Sequence, residues 1–240
     1  MAKTKQPLTL ADHLNELRLR LIIIAVAVVA AAIVCFSFAN DILELLAKGQ
    51  TLIFVRPSEA FLAQLRLSVI TGMLAVSPLI FYQVSAFIMP ALTKKEKRVL
   101  ITAVFLMFIL FAAGILFAWF VVFPFALDFF AGFATEQLQP WYTIGDYISF
   151  ASGFVLAFGI VFQLPLMFWV LGALGIISSR LLRSSRKYAL LVIAVLSAVI
   201  TPPDVVSQIL MILPMMFLYE IGILLVRVTE RRRKNKKAEV

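Results

Sequence analysis

The chain has 240 residues, of which 62% are hydrophobic and 15% charged, with a mean hydropathy of +1.01. Soluble domains average about 45–50% apolar and roughly 25% charged residues, so a water-soluble globule of this size could not hide so much apolar surface. The net charge of +9 would suggest nucleic acid in a soluble protein, but the placement of the charges gives a simpler account.

All but three of the 22 basic residues fall in four short clusters separated by long uncharged runs. The clusters are Lys3/Lys5/Arg18/Arg20, Lys94/Lys95/Lys97/Arg98, Arg180/Arg183/Arg186/Lys187 and the tail from Arg227 to Lys237. The exceptions, Lys48, Arg56 and Arg66, lie in or beside one intervening segment. Short loops keep Lys and Arg on the cytoplasmic face, so the clusters mark that face and put both ends of the chain on it. The positive charge then reflects topology and attraction to anionic headgroups, and no nucleic-acid partner is expected.

A hydrocarbon core of about 30 Å needs roughly 20 helical residues. Residues 21–40 form the first sufficient run, read as a retained span rather than a cleaved signal because Asp12 and Glu16 interrupt its leader. Residues 67–93, 99–127 and 147–179 follow, each longer than needed. Runs 188–203 and 205–219 are shorter, with continuation to 226 open, and Thr201-Pro202-Pro203-Asp204 divides them with a hard helix stop. This pair reads either as a re-entrant hairpin or as two short spans. Basic clusters at both ends favour two spans, with Asp204 as N-cap of the second.

The expected fold is therefore all-α: a polytopic membrane protein of six transmembrane helices, the last two short. It forms one integral membrane domain over 1–240, with a cytoplasmic segment 1–20, a bundle 21–226 and a basic cytoplasmic tail 227–240 acting as a mobile surface anchor. Ile42, Leu45 and Leu46 predict a short interfacial helix, and Ser58-Glu59 predicts a helix start. Pro78, Pro90, Pro124, Pro165 and Pro214 predict kinked helices and a concave face.

Much chemistry is excluded. Cys35 is the only cysteine, which rules out an intramolecular disulfide and a thiolate metal cluster. There is no Gly-rich phosphate loop, and His13 is the only histidine. No acidic pair falls within one span, so the chain is not expected to be an enzyme or to carry a cofactor.

The polar groups that remain are few. Glu16 and Glu96 are the carboxylates nearest the first two cytoplasmic rims, each among basic neighbours. The residues alone allow two readings: neutralised surface acids, or acidic spots offered to a cationic ligand. Gln83, Gln163 and Gln208 lie inside spans, where an amide either glues helices together or lines a wet groove. A secondary transporter of a small solute, using a polar cavity around Gln163 and Gln208, is the alternative reading.

Several motifs in order carry a family resemblance: His13-Leu14-x-Glu16-Leu17-Arg18-x-Arg20, then Tyr82-Gln83-x-x-x-Phe87-x-x-Pro90-Ala91-Leu92 with Glu96. Phe120-Val121-Val122-Phe123-Pro124, Tyr147-Ile148-Ser149-Phe150, Phe158-Gly159-x-x-Phe162-x-x-Pro165 and Thr201-Pro202-Pro203-Asp204-x-x-Ser207-Gln208 follow, closed by Pro214 and Tyr219-Glu220. The chain resembles the TatC subunit of the twin-arginine protein translocase from about Asp12 to Val226. The resemblance implies a curved, glove-like bundle in the bacterial inner membrane that recognises signal peptides carrying paired arginines. Folded passengers then cross the membrane, driven by the proton gradient. It further implies that Glu16 and Glu96 contact the arginine pair, that Arg18 supports this site, and that the region of Thr201 and Gln208 docks TatA- and TatB-type single-span partners. Further copies of the same chain complete the receptor complex. One position departs from the family: Gln163 stands where a membrane-embedded glutamate is usual, and an amide cannot titrate.

Overall fold

The computed structural model describes residues 10–47, 50–91, 93–137, 139–200 and 205–238. Apolar sequence with few interruptions folds as helix because a helix satisfies its own backbone polar groups where no water is available. Helix α1 (Leu10–Ser37) is apolar on all sides beyond Arg20, and no residue of its most apolar stretch is fully buried. In water this face would be intolerable; in lipid it is ordinary. A short amphipathic helix, α2 (Ala39–Ala47), follows as expected, packing Ile42, Leu43 and Leu46 over Ala63, Leu67, Ile144 and Ile148.

Helices α3 (Glu59–Ala75) and α4 (Ser77–Ile88) replace the single expected second span and are bent by 54°. Pro78 stands in the first turn of α4, where its missing N–H and ring break the ladder of α3. Helix α3 packs along α1. A Cβ on Gly72 would lie 2.7 Å from the backbone nitrogen of Ala32, so only glycine permits this approach.

Helix α5 (Lys94–Phe117) runs into a π-helical segment, Ala118–Val122, and then α6 (Phe123–Ala131). The π turn comes directly before Pro124 and accommodates it without ending the span. Helices α7 (Ile144–Val161) and α8 (Leu164–Leu174) form the fourth span, interrupted at Phe162-Gln163 ahead of Pro165. Gly175, at φ +81°, ends α8, donating to the Gly172 carbonyl while Ile176 donates to that of Leu171. The expected fourth run to 179 therefore stops five residues early.

After α9 (Ser179–Ser184) come α10 (Arg186–Ile200) and α11 (Val205–Ala238). Two expectations are corrected here. The sixth run is not short, because its helix continues for 34 residues, and the basic tail is its extension rather than a loose anchor. The continuation left open past residue 219 is taken: Glu220 lies within this helix and pairs with Arg186 at the start of α10 at 2.7 Å. The dividing residues Thr201, Pro202, Pro203 and Asp204 lie outside the described residues.

Four helical stretches among the described residues are long and apolar enough to cross a membrane: Ala11–Ser37, Glu96–Ala131, Ile144–Leu174 and Val205–Arg233. The bent pair α3–α4 makes a fifth if it is one span. At 15 residues, α10 is about 22 Å long and falls below that length.

The core lies around α7. Phe123, Phe154, Phe158, Met211 and Met215 are almost wholly buried there, with Phe117 edge-on to Phe158 and Phe123 edge-on to Tyr147. One feature has no sequence signal: strands β1 (Leu52–Ile53) and β2 (Tyr142–Thr143) pair in parallel, joining two connecting segments far apart in the chain.

Candidate functional site

Helix α4 packs against both α1 and α5, so its last turns bring their starts to one end of the bundle. There His13 of α1 stacks on Phe87 of α4, ring centroids 4.1 Å apart. One turn along α1, Glu16 Oε1 accepts hydrogen bonds from Arg20 Nη2 at 2.5 Å and Nε at 3.1 Å. The third nitrogen of that guanidinium, Nη1, donates to Oε1 of the buried Gln83 at 2.8 Å. Glu16 is thus held in place by an arginine that also ties α1 to α4. Its second oxygen, Oε2, faces only His13 Nδ1, at 3.8 Å, which is too long for a hydrogen bond. The Glu16 side chain is partly exposed.

Glu96 sits in the first turn of α5 and closes a capping box: the Thr93 N–H donates to Glu96 Oε2 at 2.7 Å, and the Thr93 side chain accepts from the Glu96 backbone N–H. This bond and the helix N-terminus favour the ionised carboxylate. Among the residues whose side chains are described, Glu96 forms no ion pair. Arg18 is exposed and borders a shallow apolar hollow with Leu14, Leu17, Leu21 and Ile22. It touches neither glutamate within hydrogen-bond range.

Gln163 is the residue between α7 and α8. Its Nε2 donates across to the Met107 carbonyl of α5 at 3.0 Å, while Oε1 is buried without a hydrogen-bond partner. Beside it opens an apolar hollow of about 640 Å³ between α5, α8 and α11, lined by Phe162, Pro165, Trp169 and Pro214 among others. Gln208 is elsewhere: its Nε2 donates to the Ala194 carbonyl at 3.0 Å and ties α11 to α10. Neither amide lines a cavity described among these residues, and each donates to a backbone carbonyl of a different helix. Thr201, the other residue of the expected docking region, is not among the described residues, and neither are the turn residues Pro202, Pro203 and Asp204.

The match to known proteins covers nearly all of this framework. The family model for the Sec-independent protein translocase protein (TatC) matches residues 12–214. The chain belongs to the TatC family. A TatC of Carboxydothermus hydrogenoformans is 40% identical over 228 residues, covering 92% of this chain and 94% of that one. The TatC of Aquifex aeolicus is 38% identical over 94% of this chain and 97% of its own, and that of Escherichia coli 38% identical over 89% and 86%. The fold is similar to the crystal structure of a twin arginine translocase receptor, TatC, with a TM-score of 0.83, 38% identity and coverage of 91% and 99%. This chain is therefore a membrane protein of a protein-translocation family.

The sequence placed Glu16 among basic neighbours, Arg20 one helical turn away, but gave no sign of Gln83, because the fold alone brings that amide, 63 positions from Arg20, back to α1. It also missed a cluster at the opposite end of the bundle, where Glu59 accepts from the backbone N–H groups of Val55 at 2.9 Å and Gly145 at 3.2 Å.

Proposed function

We propose that this chain is the signal-receiving core of a twin-arginine translocase, in which Glu16 and Glu96 bind the paired arginines of an export signal. The observation that carries this reading is the state of Glu16. Its carboxylate already binds one guanidinium, which supports its fit to that group, and its Oε2 takes no hydrogen bond among the described residues, at the same end of the bundle as Glu96, held by the Thr93 cap at the start of α5. Guanidinium forks suit carboxylates geometrically and never lose charge, and a membrane rim strengthens the attraction relative to bulk water. Arg18, exposed beside them, supports the site by orienting the start of α1 at the headgroups.

In this reading the molecule is one integral membrane domain with six spans, α3–α4 counted once and α10 being the short one. Both termini face the cytoplasm of a bacterium, and the bundle is curved. The apolar part of the signal follows the hollow beside Gln163. TatA- and TatB-type single-span proteins dock at the α10–α11 region around Thr201 and Gln208, and further copies of the chain complete the receptor. Folded passengers cross at the expense of the proton gradient. Gln163 cannot ionise, so no proton passes through that side chain. The small-solute transporter reading needs a shared wet cavity, and the separate carbonyl partners of Gln163 and Gln208 speak against one.

Site-specific photocrosslinking tests the assignment. Probes at residues 16 and 96 are expected to capture a twin-arginine peptide and not its Lys-Lys counterpart. Undiminished export by a Glu16→Gln/Glu96→Gln variant would reject it.

A further inference from the structure

At the end of the bundle opposite Glu16, a polar cleft of about 490 Å³ opens between the starts of α3 and α7. Its walls carry Arg56, Ser58, Glu59, Arg66, Asp146 and Ser149. Two of the three basic residues outside the cytoplasmic clusters therefore line one depression. Neither forms an ion pair among the described residues. Arg66 donates to Ser149 Oγ, and the Arg56 guanidinium has no protein partner among the described residues.

The cleft's carboxylates balance these cations in net charge but form no ion pair with either among the described residues. Glu59 holds three backbone N–H groups, with Oε2 on Val55 and Arg56 and Oε1 on Gly145. Asp146 takes the Thr143 hydroxyl on Oδ2 and leaves Oδ1 without a partner among the described residues. The result is a neutral but divided surface, with two guanidiniums on one side and one open carboxylate oxygen on the other.

Depth and surroundings say what fits it. Arg66 stands about 10 Å along α3 from Glu59 and is the last charged residue before the uncharged run that begins at residue 67. Leu62, exposed on the wall of the cleft, offers apolar contact to an acyl chain, whereas Phe61 and Leu65 lie round α3 on the side of α1. A free anion would use the arginines and leave Leu62 and the Asp146 oxygen idle.

We propose that this cleft seats the headgroup of an amine-bearing phospholipid, its phosphate between Arg56 and Arg66 and its ammonium at Asp146. Guanidinium is the matching donor for a phosphate diester, and burial against α3 and α7 orders the lipid at the seam between them. The site does not depend on the signal-binding reading, because none of its residues belongs to that rim.

The test is native mass spectrometry of the full chain in detergent, titrated with dioleoylphosphatidylethanolamine, dioleoylphosphatidylglycerol or dioleoylglycerol. One tightly held phosphatidylethanolamine is expected, with phosphatidylglycerol at least threefold and dioleoylglycerol at least tenfold weaker. Arg56→Gln/Arg66→Gln is expected to weaken the lipid at least tenfold. Arg56→Gln alone, which removes no protein contact, should weaken it at least threefold. The charge-matched control Arg180→Gln/Arg183→Gln should stay within twofold of the parent. Unchanged lipid binding in both cleft variants, or an equal loss in the control, overturns the site. Tighter phosphatidylglycerol binding overturns the amine assignment. Inorganic phosphate binding as tightly as the lipid, by calorimetry and with the same arginine dependence, makes it a free-anion site instead.

Discussion

Arg20 grips Glu16 through two of its nitrogens and Gln83 through the third, so the acid proposed to receive a signal arginine already holds a resident one. An incoming guanidinium must share that carboxylate or displace its occupant. Arg20→Gln is therefore expected to tighten binding of a twin-arginine peptide by about two- to fivefold, since a protein–protein bond to a charged group is worth about 1.5–3 kcal/mol at most and part is regained by water. The same change loosens α1 from α4. Peptide titration by fluorescence anisotropy and thermal unfolding in detergent read the two effects separately.

Glu96 has a structural and a proposed binding role, and one pair of variants divides them. Glutamine can replace glutamate in a capping box. Glu96→Gln is expected to leave Tm unchanged while lowering peptide crosslinking at least tenfold. Glu96→Ala removes the cap as well and should lower both. Equal Tm losses for the two variants would mean that charge, not the cap, holds the start of α5.

The approach of α1 to α3 gives a prediction for packing alone. Gly72→Val places carbon atoms where the Ala32 backbone stands. Overpacking of this kind costs about 1–3 kcal/mol, more when the obstacle is backbone. Reduced yield of folded protein and a lower Tm are expected, with no change in peptide affinity for the fraction that folds.

Gln163 makes one cross-helix bond and buries one unpartnered oxygen. Gln163→Leu loses the first and also removes the second, and the two terms oppose each other. A stability change within about 1 kcal/mol is expected, together with retained export. Collapse of export in a stably inserted Gln163→Leu protein would show that the amide itself is needed.

The long spans, the α2 helix and the start of α3 were legible in the sequence because each rests on local patterning: uncharged runs, helical spacing at Ile42 and Leu46, and Ser58-Glu59. The prolines announced every interruption, though not its form. Pro78 bends a span by 54°, whereas Pro124 is absorbed by a π turn, and only the neighbouring packing decides between them. The length of α11 was only partly legible: continuation to residue 226 was left open, and the helix runs on through the basic residues to Ala238. At the site, the i,i+4 pairing of Glu16 with Arg20 was readable, while Gln83, the His13–Phe87 stack and the Glu59–Gly145 bond join residues 63 or more positions apart. Composition carries no information on such meetings.

The two-rung pairing of Leu52–Ile53 with Tyr142–Thr143, reinforced by Glu59 on Gly145, fastens the first three helices to α7 at one pole of the bundle. The opposite pole, where Glu16 and Glu96 stand, is joined differently: there side chains make the ties, Arg20 on Gln83 and His13 on Phe87, so one end of the bundle is laced through backbone and the other through groups that a single substitution can cut.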